Sequence, residues 1–283
     1  MTTPEVVHPG SSGRTAVLAG SGRLPEIVAA ELASANLAPY VISLTADVGD
    51  WVTQYEHSFV PVTHLSSIVR TLRSSGAKNI VLAGGIKVRP RLGSFRLDWT
   101  TISQLPRLIR ALGKGDDGLL REAVGWLQSF GFTLVGAQDI VPSLLSPLGE
   151  MTLLRPHEND EYDIETAIYQ SRQLGSTDVG QAAVARGGVI VASEGKSGTA
   201  AMLLQLAGSE ARFRRSGVLA KFAKPQQEMR VDLPTIGPDT VEQAAAAGLA
   251  GIVVEAERSL ILDRELTVAK ANDLGIFIVG MRG

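Results

Sequence analysis

The stretch Thr15-Ala16-Val17-Leu18-Ala19-Gly20-Ser21-Gly22-Arg23-Leu24-Pro25 decides the fold class. An unbroken apolar run at 16–19 has the character of a strand buried on both faces. Two glycines close it, and Pro25 opens a helix that carries Leu24, Ile27, Val28 and Leu32 on one face. Working outward, 40–44 is a second strand. Leu65, Ile68, Val69 and Leu72 then keep the i, i+3, i+4, i+7 spacing of a helix that stops at Gly76. A third strand, 80–83, ends in Gly84-Gly85. Helices follow at 105–112 and 119–130, and then a strand at 132–135. Strands alternating with helices predict βαβ units, hence a parallel sheet with helices on both faces.

Residues 142–160 contain Pro142, Pro147 and Pro156 and no sustained period, and are read as an interdomain linker. The chain is thereby divided into an N-terminal domain at 14–141 and a C-terminal domain at 161–283. The second half reads as helix 164–174, strand 188–192, helix 199–207, strand 218–222, an extended piece at 229–233 and helix 241–247. Strands at 251–254 and 260–262, helix 266–274 and strand 276–279 complete it. This predicts a second α/β domain with mixed strands.

Composition narrows the chemistry. The 283 residues are 45% hydrophobic and 20% charged with a net charge of −2, enough apolar content for a sizeable core and no reason to expect nucleic acid as a ligand. With no cysteine, disulfides, thiolate catalysis and Cys-based metal sites are excluded. The four histidines, His8, His57, His64 and His157, form no HxH or HxxxH pair, which argues against a histidine-rich metal centre. No apolar run reaches the roughly 18 residues of a membrane span. The first residues lack the basic flank of a signal peptide, and 1–13 read as a disordered leader; a cytoplasmic location is expected.

Five segments are candidates for chemistry. Gly20-Ser21-Gly22 sits at a strand-to-helix junction, where glycines let backbone N–H groups approach a phosphate. The alternative is an ordinary tight turn, and Pro25 in the third glycine position disfavours NAD. Gly84-Gly85 would face the same crevice. Asp116 and Asp117 in Gly113-Lys114-Gly115-Asp116-Asp117 either cap a helix or hold Mg²⁺. Lys221 and Lys224, in a cluster with Arg212, Arg214 and Arg215, suit a diphosphate or a solvated face. Asp232, in Arg230-Val231-Asp232-Leu233-Pro234-Thr235-Ile236-Gly237, is a carboxylate in an apolar run: a cap or turn residue, or a hard oxygen ligand for Mg²⁺.

Taken in order, these segments resemble the UDP-2,3-diacylglucosamine pyrophosphatases of lipid A synthesis, the type that is not a calcineurin-like metallophosphatase. The matching residues are 19–25 (AGSGRLP), 115–121 (GDDGLLR), 178–181 (DVGQ), 218–221 (VLAK) through Lys224-Pro225, 230–237 (RVDLPTIG) and 263–265 (DRE). The resemblance implies a Rossmann-like N-terminal domain, a C-terminal domain peculiar to the family and a substrate cleft between them. It implies Mg²⁺-assisted attack of water on the α-phosphorus, with UMP and 2,3-diacylglucosamine 1-phosphate as products, and it places the family's essential aspartate on Asp232. On that reading Asp116 or Asp117 shares the metal, and Lys221 and Lys224 steady the leaving phosphate. Gly20, Ser21, Gly22, Gly84 and Gly85 receive the uridine diphosphate. Leu144, Leu145, Leu148, Leu153 and Leu154 either line the acyl chains or dock the domains. The partner is the UDP-linked diacyl glucosamine lipid, with peripheral contact with the inner membrane and a homodimer left open. The family usually has Glu-Gly-Thr-Asp where this chain has Ser197-Gly198-Thr199-Ala200. Thr199 is kept as a substrate contact, and Glu194 becomes the candidate replacement metal ligand. The alternatives are a diverged paralogue that binds the lipid without cleaving it, and a nicotinamide-dependent oxidoreductase.

Overall fold

The computed structural model describes residues 13–86, 115–207 and 215–283, with the side chains of 115–117 outside the description. The chain forms two compact units, one of 1–142 with Glu228–Val231 and one of Ser143–Gln227 with Asp232–Gly283.

The first unit contains β1 (Arg14–Ala19), α1 (Leu24–Ser34), β2 (Tyr40–Ser43), β3 (Glu56–Phe59), α2 (Leu65–Ser74), β4 (Ala77–Ala83), α3 (Gly115–Ser129), β5 (Thr133–Leu134) and the short α4 (Ala137–Ile140). Its five strands are all parallel, in the order β3-β2-β1-β4-β5. This is the Rossmann order through its fifth strand. Pleating sends Ala16, Leu18, Ile42 and Ile80 to one face, where they pack with Ile68, Val69 and Leu72 of α2 and Trp126 and Leu127 of α3. Val17, Val41 and Val81 point to the opposite face, fully buried on the side of α1 and α4. Leu72 is wholly enclosed, so its truncation to alanine should cost about 2–5 kcal/mol.

Strand β3 escapes a reading based on apolar runs. Glu56-His57-Ser58-Phe59 is polar because it is an edge strand with half its surface in water; pairing with β2, a Tyr40–Ser58 hydroxyl contact of 2.6 Å and the Arg14–Glu56 ion pair hold it. The helix expected at 105–112 lies outside the described residues.

The second unit contains β6 (Gly149–Glu150), α5 (Glu158–Ser176), β7 (Ala182–Arg186), β8 (Val189–Ser193), α6 (Gly198–Ala207), β9 (Val218–Lys221), β10 (Thr235–Ile236), α7 (Pro238–Ala246), β11 (Gly251–Glu255), β12 (Leu260–Ile261), α8 (Arg264–Leu274) and β13 (Phe277–Met281). The sheet order is β6-β13-β11-β9-β7-β8. β13, β11 and β9 run parallel, β6 and β7 antiparallel to their neighbours, and β8 antiparallel to β7. One face packs against α6, α7 and α8 through Leu203, Val241, Ala244 and Ala271, the other against α5 through Ile164 and Ala167. The expected α/β class with mixed strands in the second half is what the sheet shows.

Three readings need correction. Residues 142–160 are not a free linker: the break falls at Pro142/Ser143, and Gly149–Glu150 pairs with β13, joining the sheet despite the surrounding prolines. The piece 229–233 is not extended; Glu228 to Val231 forms a turn closed by Val231 N–H to Glu228 O at 3.0 Å. Strand β7 was missed because Ala182-Ala183-Val184-Ala185 is alanine-rich, although every one of these residues is fully buried. Among the described residues no helix is long and apolar enough to cross a membrane.

Candidate active site

The second unit gathers polar side chains at one edge of its sheet. β9 ends at Lys221, and β8, running the same way, ends one residue before Glu194. β7 runs oppositely and pairs Ala182 with Lys221, so Gln181 lies at the same edge. Glu255 closes β11 there. This is the carboxyl edge of the parallel strands, where open α/β sheets bind ligands.

Backbone and side chains lock the loop that follows β9. Ala223 N–H donates to Glu255 Oε2 at 2.9 Å, and Phe222 N–H to Gln181 O at 3.1 Å. Lys224 N–H donates to Gln227 Oε1 at 3.0 Å, and Gln227 N–H returns a bond to Lys224 O at 3.1 Å. Lys224 itself is buried, and its ammonium reaches Asp178 Oδ1 at 2.7 Å. It is therefore a member of an internal ion pair; this is where the structure places the lysine expected as a phosphate contact. Asp178 sits in the left-handed region, φ 57°, which an aspartate tolerates better than most residues.

Glu194 is also internal. Its Oε2 accepts the Gln181 N–H at 2.7 Å and its Oε1 accepts the Thr199 hydroxyl at 2.7 Å. These bonds tie β7, β8 and the first turn of α6 together. Both Glu194, expected as a metal ligand, and Thr199, expected as a substrate contact, are thus structural partners of each other. Lys221 donates from Nζ to Thr235 O at 2.9 Å. Burial pushes its ammonium below the ordinary lysine value, while the charges of Glu194 and Asp232 oppose that shift.

Asp232 is half-buried. Its Oδ2 accepts the Gln227 side-chain amide at 2.6 Å, and Oδ1 accepts no hydrogen bond from any described residue. Mg²⁺ takes oxygen ligands and is commonly held by one or two carboxylates together with waters and substrate phosphates. A carboxylate with one oxygen anchored and the other without a hydrogen bond from any described residue fits that demand. Among the described residues no three His, Asp or Glu side chains gather as a metal cage. Asp116 and Asp117 lie outside the described residues as far as their side chains are concerned.

In the first unit the glycine turns bind each other. Gly20 N–H donates to Ala83 O at 2.8 Å, Ser21 N–H to Gly85 O at 2.8 Å and Gly85 N–H to Ser21 O at 3.0 Å; the Ser21 hydroxyl also reaches Gly85 O, at 2.9 Å. The backbone donors of Gly20, Ser21 and Gly85, expected to face a phosphate, are engaged in joining the ends of β1 and β4. A Cβ on Gly84 would lie 2.5 Å from Ser21 O, and one on Gly20 2.6 Å from Gly85 O, so the close approach itself requires glycine. Gly22 and Gly84 have φ of +99° and +83° and lie exposed at this edge.

The segment Glu228–Val231 belongs to this first unit. Arg230 grips Glu228 with two bonds, 2.8 and 2.9 Å, and Met229 O accepts the Gln138 amide at 3.1 Å. The Arg230 hydrogen bond holds the Glu228 carboxyl below the usual carboxylate range. Of the other basic residues, Arg215 donates to Ala245 O at 2.8 Å, while Arg212 and Arg214 lie outside the described residues. Leu144 is core, whereas Leu148, Leu153 and Leu154 are exposed.

Sequence reasoning missed Gln227, Gln181 and Glu255. Gln181 ends the segment Asp178-Val179-Gly180-Gln181, but nothing in the local pattern marks Gln227 or Glu255, whose contacts are purely spatial.

Fold and cluster define an α/β protein of two units, with a carboxylate and a lysine at the carboxyl edge of the second sheet. Family models match both units: the LpxI N-terminal domain over residues 14–144 and the LpxI C-terminal domain over 147–279. The chain belongs to the LpxI family. It is 38% identical over 270 residues to the UDP-2,3-diacylglucosamine pyrophosphatase LpxI of Caulobacter vibrioides, covering 94% of this chain and 96% of that protein. A solved CobK precorrin-6A reductase aligns at 11% identity over 96% of this chain and 89% of that one, with a TM-score of 0.33, too slight a likeness to carry an argument.

Proposed function

We propose that this chain is a UDP-2,3-diacylglucosamine pyrophosphatase of lipid A synthesis, Mg²⁺-dependent, releasing UMP and 2,3-diacylglucosamine 1-phosphate by attack of water on the α-phosphorus. The observation that carries this reading is the 38% identity to a relative of that name over nearly the whole of both chains. Asp232, with one oxygen anchored by Gln227 and no described residue donating to the other, is the residue that would hold the metal. The ion, when bound, supplies charge neutralisation on the phosphoryl oxygens and acidifies a bound water.

The chain's own residues do the rest. Asp232 holds a fixed negative charge at the sheet edge. Lys221, anchored through Thr235 O, sets a cation near it and keeps two further ammonium protons for a phosphate oxygen. Glu194 and Thr199 orient the start of α6, and Lys224 with Asp178 fixes the loop from which Gln227 projects. Pyrophosphate cleavage needs positioning and charge stabilisation more than covalent chemistry, and rigid charges of this kind serve it.

A second reading, a diverged member that binds the lipid without cleaving it, is favoured by one observation. Ser197 and Ala200 carry no carboxylate, and Glu194 is engaged by Gln181 and Thr199. Incubation with UDP-2,3-diacylglucosamine, with and without Mg²⁺, separates the two. Metal-dependent UMP supports the hydrolase; lipid binding by a folded protein without UMP supports the second reading.

A further inference from the structure

Gln227 has no ionisable group and belongs to none of the motifs that mark this family in the sequence, yet it is buried at 7% exposure beside Asp232. Its amide orientation is determined by its surroundings. Lys224 N–H can only donate, so the atom facing it at 3.0 Å is the carbonyl oxygen Oε1. The amide nitrogen is thereby turned toward Asp232 Oδ2 at 2.6 Å, with Gln181 Oε1 as a second acceptor at 3.3 Å. The backbone of Gln181 is in turn held by Glu194, and that of Lys224 by the turn through Gln227 N–H. A chain of hydrogen bonds therefore runs from the ends of β7 and β9 to a single carboxylate oxygen.

We infer that Gln227 is a positioning residue for Asp232: it anchors Oδ2 and so holds the carboxylate in one orientation. This rests on the hydrolase reading above. Outer partners of this kind typically account for about 10–100-fold in metal affinity or activity, because they remove rotational freedom from the ligand that does the binding.

Two variants test it. Gln227→Met keeps the length and removes the donor. Gln227→Asn keeps an uncharged amide but, one methylene shorter, withdraws the donor from Asp232. Each is compared with wild type and Asp232→Ala for kcat and KM of UMP release, for melting temperature, and for Mn²⁺ affinity by EPR titration without substrate. The expected result is a fall of about 10–100-fold in kcat and weaker Mn²⁺ binding in both variants, with KM within about threefold and melting preserved in Gln227→Asn. Should Gln227→Met not fold, Gln227→Asn decides. Wild-type kcat and Mn²⁺ affinity in either folded variant overturns the inference, as does a rise in KM alone, which would make Gln227 a substrate contact. An inactive wild type removes the hydrolase reading and this inference with it, whereas active wild type, dead Asp232→Ala and unimpaired Gln227 variants remove only the inference.

Discussion

Lys224 and Asp178 form an ion pair of 2.7 Å, with side-chain exposures of 11% and 24%, between the loop after β9 and the turn at the end of α5. A lysine that the sequence offers as a phosphate contact is held within the fold by this pair. Removing one partner of a buried pair is costly because the other charge stays buried. Asp178→Asn, which tolerates the same φ, should lower unfolding free energy by about 2 kcal/mol after allowance for solvent screening. Lys224→Met combined with Asp178→Asn should recover part of that loss. Chemical denaturation of the three variants measures it; additive losses would mean that the pair does not act as a unit.

Asp232 behaves differently under substitution, since among the described residues a single hydrogen bond, from Gln227, holds its side chain. Asp232→Ala should abolish UMP release while changing unfolding free energy by no more than about 1–2 kcal/mol. A large drop in melting temperature would show a structural role instead.

Lys221 imposes a pH dependence on stability whose sign follows from its lowered pKa. Between the lowered folded value and the ordinary 10.5, the unfolded chain binds more protons than the folded one, so stability rises with pH there. Below the folded value both states are charged and the contribution is flat, leaving the full burial cost. The difference in unfolding free energy between wild type and Lys221→Met, followed from neutral to alkaline pH, should move in favour of wild type as pH approaches 10.5. A pH-independent difference would refute the shift.

The glycine turns of the first unit separate crowding from backbone conformation. Gly84→Ala meets Ser21 O at 2.5 Å and Pro25 Cγ at 2.9 Å, whereas Gly22→Ala meets nothing within 4 Å, although both have positive φ. Gly22→Ala should cost about 1–2 kcal/mol from conformation alone, and Gly84→Ala clearly more. Equal costs, measured by denaturant unfolding, would mean that the β1 and β4 ends can part to admit the methyl group.

Much was legible in the chain. Apolar runs at β1, β2, β4, β11 and β13 and the periodic faces of α1, α2 and α8 are local signals. A strand buried on both faces must be apolar throughout, and a helix covering a sheet must repeat its apolar residues every three or four positions. The same locality explains what was lost. β3 is polar because it is an edge, β7 is alanine-rich because α5 lies close over it, and β6 is two residues long and exists only by pairing with β13.

For the site, the sequence by itself determined which chemistries were open: without cysteine and with scattered histidines, oxygen ligands and lysines remained, and the order of motifs pointed to Asp232. Which partners each carboxylate meets was decided by tertiary structure alone. Asp232, Glu194 and Asp178 are chemically alike; they differ in whether Gln227, Gln181 with Thr199, or Lys224 reaches their oxygens. Those partners come together only when β7, β8 and β9 align their ends. A hydrogen bond acts over about 3 Å, and between residues distant along the chain only the folded sheet sets that distance.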